Sequence, residues 1–372
     1  MQFENFNTAM TRQFNLELVI LTLRDQKPRT RKRLAEETGL SIATCGNLLN
    51  DLIEQGRVIE VDLEESSGGR PAKSYVHNPN HSLVAGVAVV CHEGVFRLMT
   101  VVTNLIGEII EEKMVETSTF SGEQLEKAID ELMLAHPLIR SLAIGVPGVV
   151  RDGEILGCDI PVLIGYPLRN RIKAKYNLQL SIENDMNLVA LGLYNQLKHD
   201  SDSIIAAINF PDDSCGGAGI IIDGEIFYGH THFAGETSYL PLGVPYDQVV
   251  EHMNKPKEGF ESIVQTVMAM IAIVNPAIIA LTGGLVNQEM LPAIIERCRV
   301  LIPDKHMPKI QVLDDVRCEY LNGLVFTTLK NMSYSVSQTI NLPRLVADYI
   351  RRTTRMNCSI EGLTLEPRLP EV

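Results

Sequence analysis

The sequence predicts an α/β protein in which a small helix-turn-helix domain precedes a larger domain of two lobes. The first 80 residues read as three short helices followed by two strands. From residue 81 onward, apolar strands alternate with helices, and the alternation occurs twice. Two similar α/β halves indicate two lobes with a cleft between them. A chain of 372 residues, 45 % of them hydrophobic, has room for two or three such units.

Composition excludes several classes of protein. The net charge of −13 argues against general nucleic-acid binding, although residues 1–80 are nearly balanced in charge. No apolar run reaches the roughly 18–20 residues that cross a bilayer, and the N-terminus lacks a signal-peptide pattern. The seven cysteines are scattered singly, with no CxxC pair and no Cys/His cluster. We therefore expect a cytoplasmic protein with reduced thiols, no membrane partner, no bound metal and no cofactor.

Start and stop residues divide the first 80 residues into helices. Pro28 ends a first helix, "LELVILTLRD", whose apolar residues recur at helical spacing. Thr30 can cap a second helix that stops at Gly39, and Ser41 can cap a third that ends at Gly56. Three leucines of the third helix would face inward: Leu48, Leu49 and Leu52. This order is typical of a helix-turn-helix.

The start of the third helix is a candidate DNA-binding surface, because base edges are read there in such domains. Its outward-facing residues are Ser41, Ile42, Ala43, Thr44 and Asn47. The preceding run "RDQKPRTRKR" holds six basic residues, and Arg31 and Arg33 are its candidate phosphate contacts. A solvated basic face without a DNA partner is the alternative.

Residues 57–78, "RVIEVDLEESSGGRPAKSYVHN", read as two strands joined by a glycine-rich tip. This is the pattern of a wing, whose flat Gly-Gly-Arg-Pro tip would place Arg70 in a narrow minor groove. An ordinary helical hairpin with a β-turn that contacts protein is the alternative. The combination of helix-turn-helix, basic run and wing favours DNA binding.

The larger domain contains a polar group at a strand end. "SIENDMNLVALG" places Glu183, Asn184 and Asp185 after an apolar run and before a helix. A carboxylate accepts two hydroxyl donors and an amide both donates and accepts, so this pair suits a vicinal diol. The alternative is that Asn184 and Asp185 only cap the helix, where both residue types are favoured.

These features together resemble the ROK family of repressors, unassigned reading frames and sugar kinases, within the sugar kinase–actin–Hsp70 fold. The resemblance covers roughly residues 14–330 and rests on the wing with its Gly-Gly-Arg-Pro tip, "GVPGVV", "IENDMNLVALG", "GGAGIIIDGEIFYGHTHFAGE" and "NPAIIALTGG". It implies a winged helix-turn-helix over 1–80 and a two-lobed, actin-like domain over 81–331. We expect lobes of about 81–197 and 198–331, and a C-terminal helix and tail over 332–372 that packs on the first lobe.

The resemblance also sets an expectation for catalysis. Kinases of this family hold ATP phosphates and Mg²⁺ between two β-hairpins, and the first hairpin carries Asp-x-Gly-Gly-Thr. The matching strand here, "AGVAVVCHEG", has Ala88 in place of the Asp, and Val90 and Cys91 in place of the glycines. No Asp lies between His81 and Thr103. We therefore expect no kinase activity and no catalytic residue.

The family's zinc site is also missing from the sequence. Many members place a His shortly after an Ala-Gly-Glu motif and follow it with a cluster of three cysteines that closes a tetrahedral site. Here Tyr239 replaces the His, and no Cys lies between Cys215 and Cys298. His230 and His232 lack further ligands nearby in sequence, so we interpret them as loop residues.

By the same resemblance, the sugar pocket is partly kept, without the His that helps hold the sugar loop in many relatives. Asn184, Asp185 and Glu236 would hydrogen-bond sugar hydroxyls, and Gly148 in "GVPG" would supply a close backbone wall. The resemblance thus implies a sequence-specific transcriptional regulator, a repressor, controlled by a sugar or sugar derivative between its lobes. Its expected partners are operator DNA and a carbohydrate effector. Because winged helices read half-sites in pairs, we expect a homodimer or a dimer of dimers.

Two alternatives stay open. One is an active ROK sugar kinase with an attached DNA-binding domain. The other is a ligand-independent regulator whose large domain only dimerises. Turnover of ATP would favour the first, and failure of every sugar to shift the melting temperature would favour the second.

Overall fold

A computed structural model of the protein describes residues 8–62, 73–196 and 203–334. Its N-terminal part contains three helices: α1 (Thr8–Leu23), α2 (Arg31–Thr38) and α3 (Ile42–Glu54). Three strands pair antiparallel in the order β1-β3-β2: β1 (Arg29–Thr30), β2 (Val58–Asp62) and β3 (Lys73–His77). The sequence predicts the helices and the last two strands, and β1 is an addition to them.

Local hydrogen bonds explain the ends of α2 and α3. Thr30 Oγ1 accepts a hydrogen bond from Arg33 N at 3.2 Å, and Ser41 Oγ accepts one from Thr44 N at 3.0 Å. Both are N-cap contacts that satisfy a free amide of the first turn. Gly39 ends α2 in the left-handed conformation, with a φ of 73°. These three predicted helix boundaries are confirmed.

The predicted end of the first helix is wrong. α1 stops at Leu23, well before Pro28. Asp25 Oδ1 accepts a hydrogen bond from Lys27 N at 3.1 Å, and Gln26 has a φ of 60°. Because an Asp side chain that bonds to the backbone two residues on favours a turn over a helix, the chain leaves the helix before Pro28 is reached.

The first lobe is built on a five-stranded sheet in the order β10-β7-β4-β5-β6. Its strands are β4 (Leu83–His92), β5 (Val95–Asn104), β6 (Ile109–Thr117), β7 (Ile139–Val146) and β10 (Gln179–Asn184). β4, β5 and β6 pair antiparallel, whereas β7 is parallel to β4 and to β10. Two helices, α4 (Gly122–Ala135) and α5 (Leu168–Lys175), and a small hairpin, β8 (Gly148–Arg151) with β9 (Glu154–Cys158), complete the lobe.

The second lobe repeats this plan with the strand order β13-β12-β11-β14-β15. Its strands are β11 (Ile205–Asn209), β12 (Gly217–Ile222), β13 (Glu225–Ile226), β14 (Ile278–Thr282) and β15 (Lys309–Val312). Its helices are α7 (Val249–Met253), α8 (Pro256–Val274) and α9 (Leu291–Arg299). Two sheets with similar strand orders give the two halves that the sequence predicts.

Two further helices, α6 (Asp185–Gln196) and α10 (Arg317–Tyr334), lie between the sheets. They approach each other closely through glycines: a Cβ on Gly192 would lie 1.8 Å from Glu319 O, and one on Gly323 would lie 2.0 Å from Leu188 O. Although α10 follows the second sheet in the chain, it packs on the first, where Leu324 lies against Gly86 of β4. Residues 332–334 of the predicted tail belong to α10, and residues 335–372 lie outside the described residues.

Within the described ranges, no helix combines the length and the apolar character needed to span a bilayer.

Candidate functional site

The two lobes enclose a cavity of about 270 Å³. The first lobe contributes the turn after β7, the end of β9 and the start of α6, and the second contributes β12 and the loop 228–246. The cavity is lined by all four residues that the sequence proposes for ligand contact: Gly148, Asn184, Asp185 and Glu236. The structure therefore brings these residues together, and their contact with a ligand stays a prediction.

Asn184 is already engaged within the protein. Its Oδ1 accepts a hydrogen bond from Asn187 N at 2.9 Å, which caps α6, and its Nδ2 donates to Gly148 O at 3.0 Å. The capping role weighed for this residue is thus observed. The same bonds hold the amide against the glycine wall, so Asn184 fixes the shape of the cavity.

Asp185 has more capacity left for a ligand. Its Oδ1 accepts a hydrogen bond from Met186 N at 2.8 Å. Burial raises the pKa of Asp185 to about 7, and the charges of Asp159 and Glu236 add to the increase. A carboxylate in such surroundings is stabilised by hydroxyl donors, which the cavity's own carboxylates cannot supply.

Asp159 is a candidate site residue that the sequence did not single out. It follows β9, lines the cavity and is exposed to solvent, which places it at the rim. Burial raises its pKa, with a further increase from Asp213, while a side-chain hydrogen bond from Ser214 of the other lobe opposes the change. Burial and the charge of Asp159 likewise raise the pKa of Glu236. An Asp in a loop after a short hairpin carries no sequence signal of its own.

Glu183 lies next to the cavity and bonds to Tyr228, which lines it. Glu183 Oε2 accepts a hydrogen bond from Tyr228 Oη at 2.6 Å, and Glu183 Oε1 accepts bonds from Asn184 N and Asn187 Nδ2. Burial raises the pKa of Glu183, although these hydrogen bonds favour its charged form. The Tyr228 ring stacks on His232, with ring centroids 4.6 Å apart. Because Glu183 belongs to the first lobe and Tyr228 to the second, this hydrogen bond joins the lobes.

The opposite end of the cleft is closed by a direct contact between the lobes. At the β4–β5 turn, Glu93 N donates to Asp213 Oδ2 at 2.9 Å, and His92 Nδ1 lies 3.2 Å from the same oxygen. Asp213 belongs to the loop between β11 and β12, so the two hairpins of the cleft touch. In that loop, the carboxylate of Asp212 lies so close to Gly284 that a Cβ there would be 2.8 Å from its Cγ.

The candidate DNA-binding residues lie on the surface of the N-terminal part. Ile42 is 55 % exposed, although it is apolar, and Ser41, Ala43 and Asn47 are also exposed. Thr44 is half-buried, and its hydroxyl lies 2.8 Å from Ser41 Oγ. These residues form one surface at the start of α3. Arg70 falls in the stretch 63–72, outside the described residues.

The basic run before α3 divides into structural and exposed residues. Arg24 is only 5 % exposed, and Arg29 Nη1 and Nε donate to Asp25 and Glu37 at 2.5 and 2.6 Å. The remaining four are exposed: Lys27, Arg31, Lys32 and Arg33. Arg31 Nε donates to Tyr75 Oη at 3.0 Å, so its guanidinium is oriented beside β3. At most four of the six basic residues are thus available for phosphate contacts.

Residues 90–245 match the sequence model of the ROK family. The chain carries a ROK family domain. It is similar to the xylose repressor of Caldicellulosiruptor bescii, at 28 % identity over 254 residues that cover 65 % of this chain and 62 % of that protein. It is also similar to the DNA-binding transcriptional dual regulator NagC of Escherichia coli, at 25 % identity over 252 residues that cover 64 % of this chain and 60 % of that protein. The chain therefore spans less than two thirds of the length of these curated relatives.

Solved structures of ROK proteins share the fold. One is a ROK family transcriptional regulator described as a homologue of the E. coli MLC protein, with a TM-score of 0.63, 19 % identity, and 92 % of this chain and 100 % of that chain covered. Another is a ROK hexokinase from Thermus thermophilus, with a TM-score of 0.52, 16 % identity, and 66 % of this chain and 97 % of that chain covered. The predicted two-lobed, actin-like architecture is confirmed.

In this ROK domain, aromatic rings pack where the zinc-bearing pattern would place its His. Tyr239 stacks on Tyr246, with ring centroids 4.4 Å apart, and Phe233 meets Tyr239 edge-on at 4.9 Å. All three rings line the cavity. His232 Nδ1 lies 3.0 Å from Val150 O, and His230 is exposed. Among the described residues, the group with metal-like spacing is His92, Asp212 and Asp213, which contains neither of these histidines.

Proposed function

We propose that the protein is a transcriptional repressor that binds operator DNA through its N-terminal domain and binds a sugar between its lobes without phosphorylating it. The observation that carries the proposal is the interlobe cleft. Its cavity is rich in hydrogen-bond acceptors, and beside it the β4–β5 and β11–β12 hairpins touch, which closes the gap between them (the hairpin gap). The related xylose repressor and NagC regulator support a regulatory role. The exposed surface at the start of α3 supports contact with DNA.

The closed gap argues against phosphoryl transfer. This reaction depends on positioning the nucleotide phosphates and on neutralising their charge. Here the bond from Glu93 N to Asp213 bridges the β4–β5 and β11–β12 hairpins, and the carboxylates of Asp212 and Asp213 beside it would repel phosphate oxygens. Ala88 is fully buried and offers no metal ligand. Binding without turnover is the function that this geometry favours.

A sugar could control DNA binding through the angle between the lobes. Asp185 belongs to the first lobe and Glu236 to the second, so a ligand that contacts both favours one angle. In a homodimer, that angle would set the distance between the two recognition helices. The ligand can shift this equilibrium only by its difference in affinity for the two states.

The first experiment identifies a bound DNA sequence by selection from a random pool and then measures its affinity with and without a panel of sugars. We expect at least one sugar to weaken binding. A protein that binds no DNA above non-specific affinity would contradict the proposal. Affinity for DNA that no sugar alters would instead favour the ligand-independent alternative.

The second experiment is an ATP-turnover assay with hexoses, pentoses and N-acetylhexosamines. We expect no turnover above background. Turnover that is lost in Asp185→Asn would establish the kinase alternative.

Salt dependence tests the role of the exposed basic residues. Each neutralised phosphate contributes about −0.9 to the slope of log K against log salt concentration. Arg33→Ala should make this slope less steep by about that amount per protomer. Arg297→Ala is the matched control, because both arginines are exposed and pair with a Glu, at 2.5 and 2.6 Å. Equal effects of the two substitutions would remove Arg33 from the DNA-binding surface.

A further inference from the structure

The cavity concentrates negative charge without a matching cation. Asp159, Asp185 and Glu236 line it, and Asp213 is close enough to Asp159 to raise its pKa. All of the lining residues are described, and none of them is Lys or Arg. The one lining histidine, His232, is held between the Tyr228 ring and Val150 O.

We propose that this cavity selects a monosaccharide without an anionic group and excludes phosphorylated and carboxylated sugars, with Asp159 and Glu236 enforcing the exclusion. The inference rests on the proposed function, since it takes a sugar as the effector. It adds the chemical class of that sugar and a role for Asp159.

Hydrogen-bond capacity is the first argument. At pH 8, above the Asp185 pKa of about 7, this carboxylate is ionised and only accepts hydrogen bonds, whereas sugar hydroxyls donate them. The amide of Asn184, which could donate, already bonds to Gly148 O. A phosphate or carboxylate group on the sugar is also an acceptor. It would therefore face the carboxylates of the protein with no hydrogen between them, in a confined space. Hydroxyl groups, or the ammonium of an amino sugar, complement these residues.

Charge placement is the second argument. Asp185 is half-buried at the start of α6 and Glu236 belongs to the opposing lobe, while the exposed Asp159 lies at the rim. Asp213 extends the negative charge from the rim toward the hairpin gap. An anionic substituent would therefore meet a carboxylate whether it pointed inward, across the cleft or outward.

Size and shape narrow the class to monosaccharides. The cavity of about 270 Å³ lies just below the range of about 300–1,000 Å³ that is usual for drug-sized ligands. The second lobe lines it with the rings of Phe233, Tyr239 and Tyr246. Aromatic faces suit the C–H face of a pyranose, while the acids take its hydroxyls.

The test uses matched pairs of ligands in isothermal titration calorimetry on the full chain: glucose with glucose 6-phosphate, xylose with xylose 5-phosphate, and galactose with galacturonate. Glucosamine distinguishes an amine-bearing ligand from a neutral one. The free sugar of the best pair should bind at least about a hundredfold more tightly than its anionic partner, since like charges at close range cost several kcal/mol.

The residue assignment is tested with Asp159→Asn and Glu236→Gln, singly and together. These changes keep shape and remove charge, so the ratio of affinities should fall by about tenfold or more in the double variant. Asp223→Asn, at the exposed β12–β13 turn, is the control and should leave the ratio unchanged. Asp159 is exposed at the rim, so Asp159→Asn should fold. This single variant therefore still tests the assignment if the double variant does not fold.

The outcomes separate this inference from the proposed function. An anionic sugar that binds as tightly as its neutral partner would overturn the inference while leaving a sugar-controlled regulator intact. Discrimination that survives in the folded variants would remove Asp159 and Glu236 as its cause. Failure of every sugar to bind the wild-type chain would overturn both.

Discussion

The two ends of the interlobe cleft differ in how far their polar groups are satisfied. At the hairpin end, Asp213 accepts a hydrogen bond from Glu93 N and lies beside His92. At the cavity end, Glu236 has no side-chain hydrogen bond to the described residues, and Asp185 has one oxygen left over. Unpaired carboxylates in confined surroundings cost stability unless a ligand completes them. The cavity end therefore has free groups for binding a ligand, whereas the hairpin end, where a kinase would hold nucleotide phosphates, has its groups bonded to each other.

The largest expected effect comes from removing the inner carboxylate. In Asp185→Asn, one oxygen of the side chain is kept for Met186 N, but the charged acceptor for the sugar is lost. Hydrogen bonds to charged groups contribute about 1.5–3 kcal/mol each, so we expect sugar affinity to fall by roughly a hundredfold. Titration calorimetry with the best free sugar measures the change. Unaltered affinity would mean that Asp185 does not contact the ligand.

The same variant should be more stable than the wild type in the absence of sugar. The folded-state pKa of Asp185 is about 7, above its ordinary value of 3.8, so the folded protein binds this proton more tightly than the unfolded chain does. Stability from this group is therefore greatest below about pH 4 and is lost as the pH rises toward 7. Relative to wild type, Asp185→Asn should gain on the order of 4 kcal/mol at pH 8 and little at pH 4.

Melting curves of both proteins at pH 4 and pH 8 measure this difference. Burial also raises the pKa values of Asp159, Glu183 and Glu236, but these acids are present in both proteins. Asp223→Asn controls for the loss of a surface charge. A gain of the same size at both pH values would show that burial of the Asp185 charge is not its cause.

The sequence predicted features that depend on neighbouring residues in the chain. The caps at Thr30 and Ser41 and the turn at Gly39 are local, since each needs only a side chain or a φ value within four residues. The position of Asn184 and Asp185 at the junction of β10 and α6 was predictable for the same reason. Their meeting with Glu236 followed from the family resemblance.

Long-range contacts were not predictable from these patterns. Asp159 and Asp213 lie in loops of different lobes, and nothing in their flanking residues shows that they come close together. Contacts within the fold also explain why Arg24 and Arg29 are not available to bind DNA. Arg24 is buried, and the side chain of Arg29 donates hydrogen bonds to the carboxylates of Asp25 and Glu37. A run of basic letters does not distinguish such residues from exposed ones.

A smaller effect should follow from loss of an aromatic ring at the cavity end. Tyr246→Ala removes the stack on Tyr239, and ring pairs of this kind contribute about 0.5–1.5 kcal/mol. We expect sugar affinity to fall by roughly threefold to tenfold. Tyr246→Phe keeps the ring and should bind nearly as wild type does.

If aromatic rings take the place of zinc in this loop, EDTA will not change the melting temperature of the protein. A large decrease in the melting temperature would contradict that interpretation.

The smallest expected effect lies at the hairpin end. Asp213→Ala removes the acceptor of the Glu93 amide, a charge-assisted bond whose partner side chains are partly exposed, so we expect a loss of about 1 kcal/mol or less. The amide should then exchange with solvent roughly fivefold faster, since local opening becomes easier by that amount. Asp213→Asn keeps an oxygen at this position and should retain most of the protection. Hydrogen exchange at Glu93 and Gly94 gives the measurement. Unchanged exchange in Asp213→Ala would show that the hairpin end is closed by other contacts. Faster exchange together with new binding of Mg-ATP would show that this one carboxylate keeps the nucleotide out.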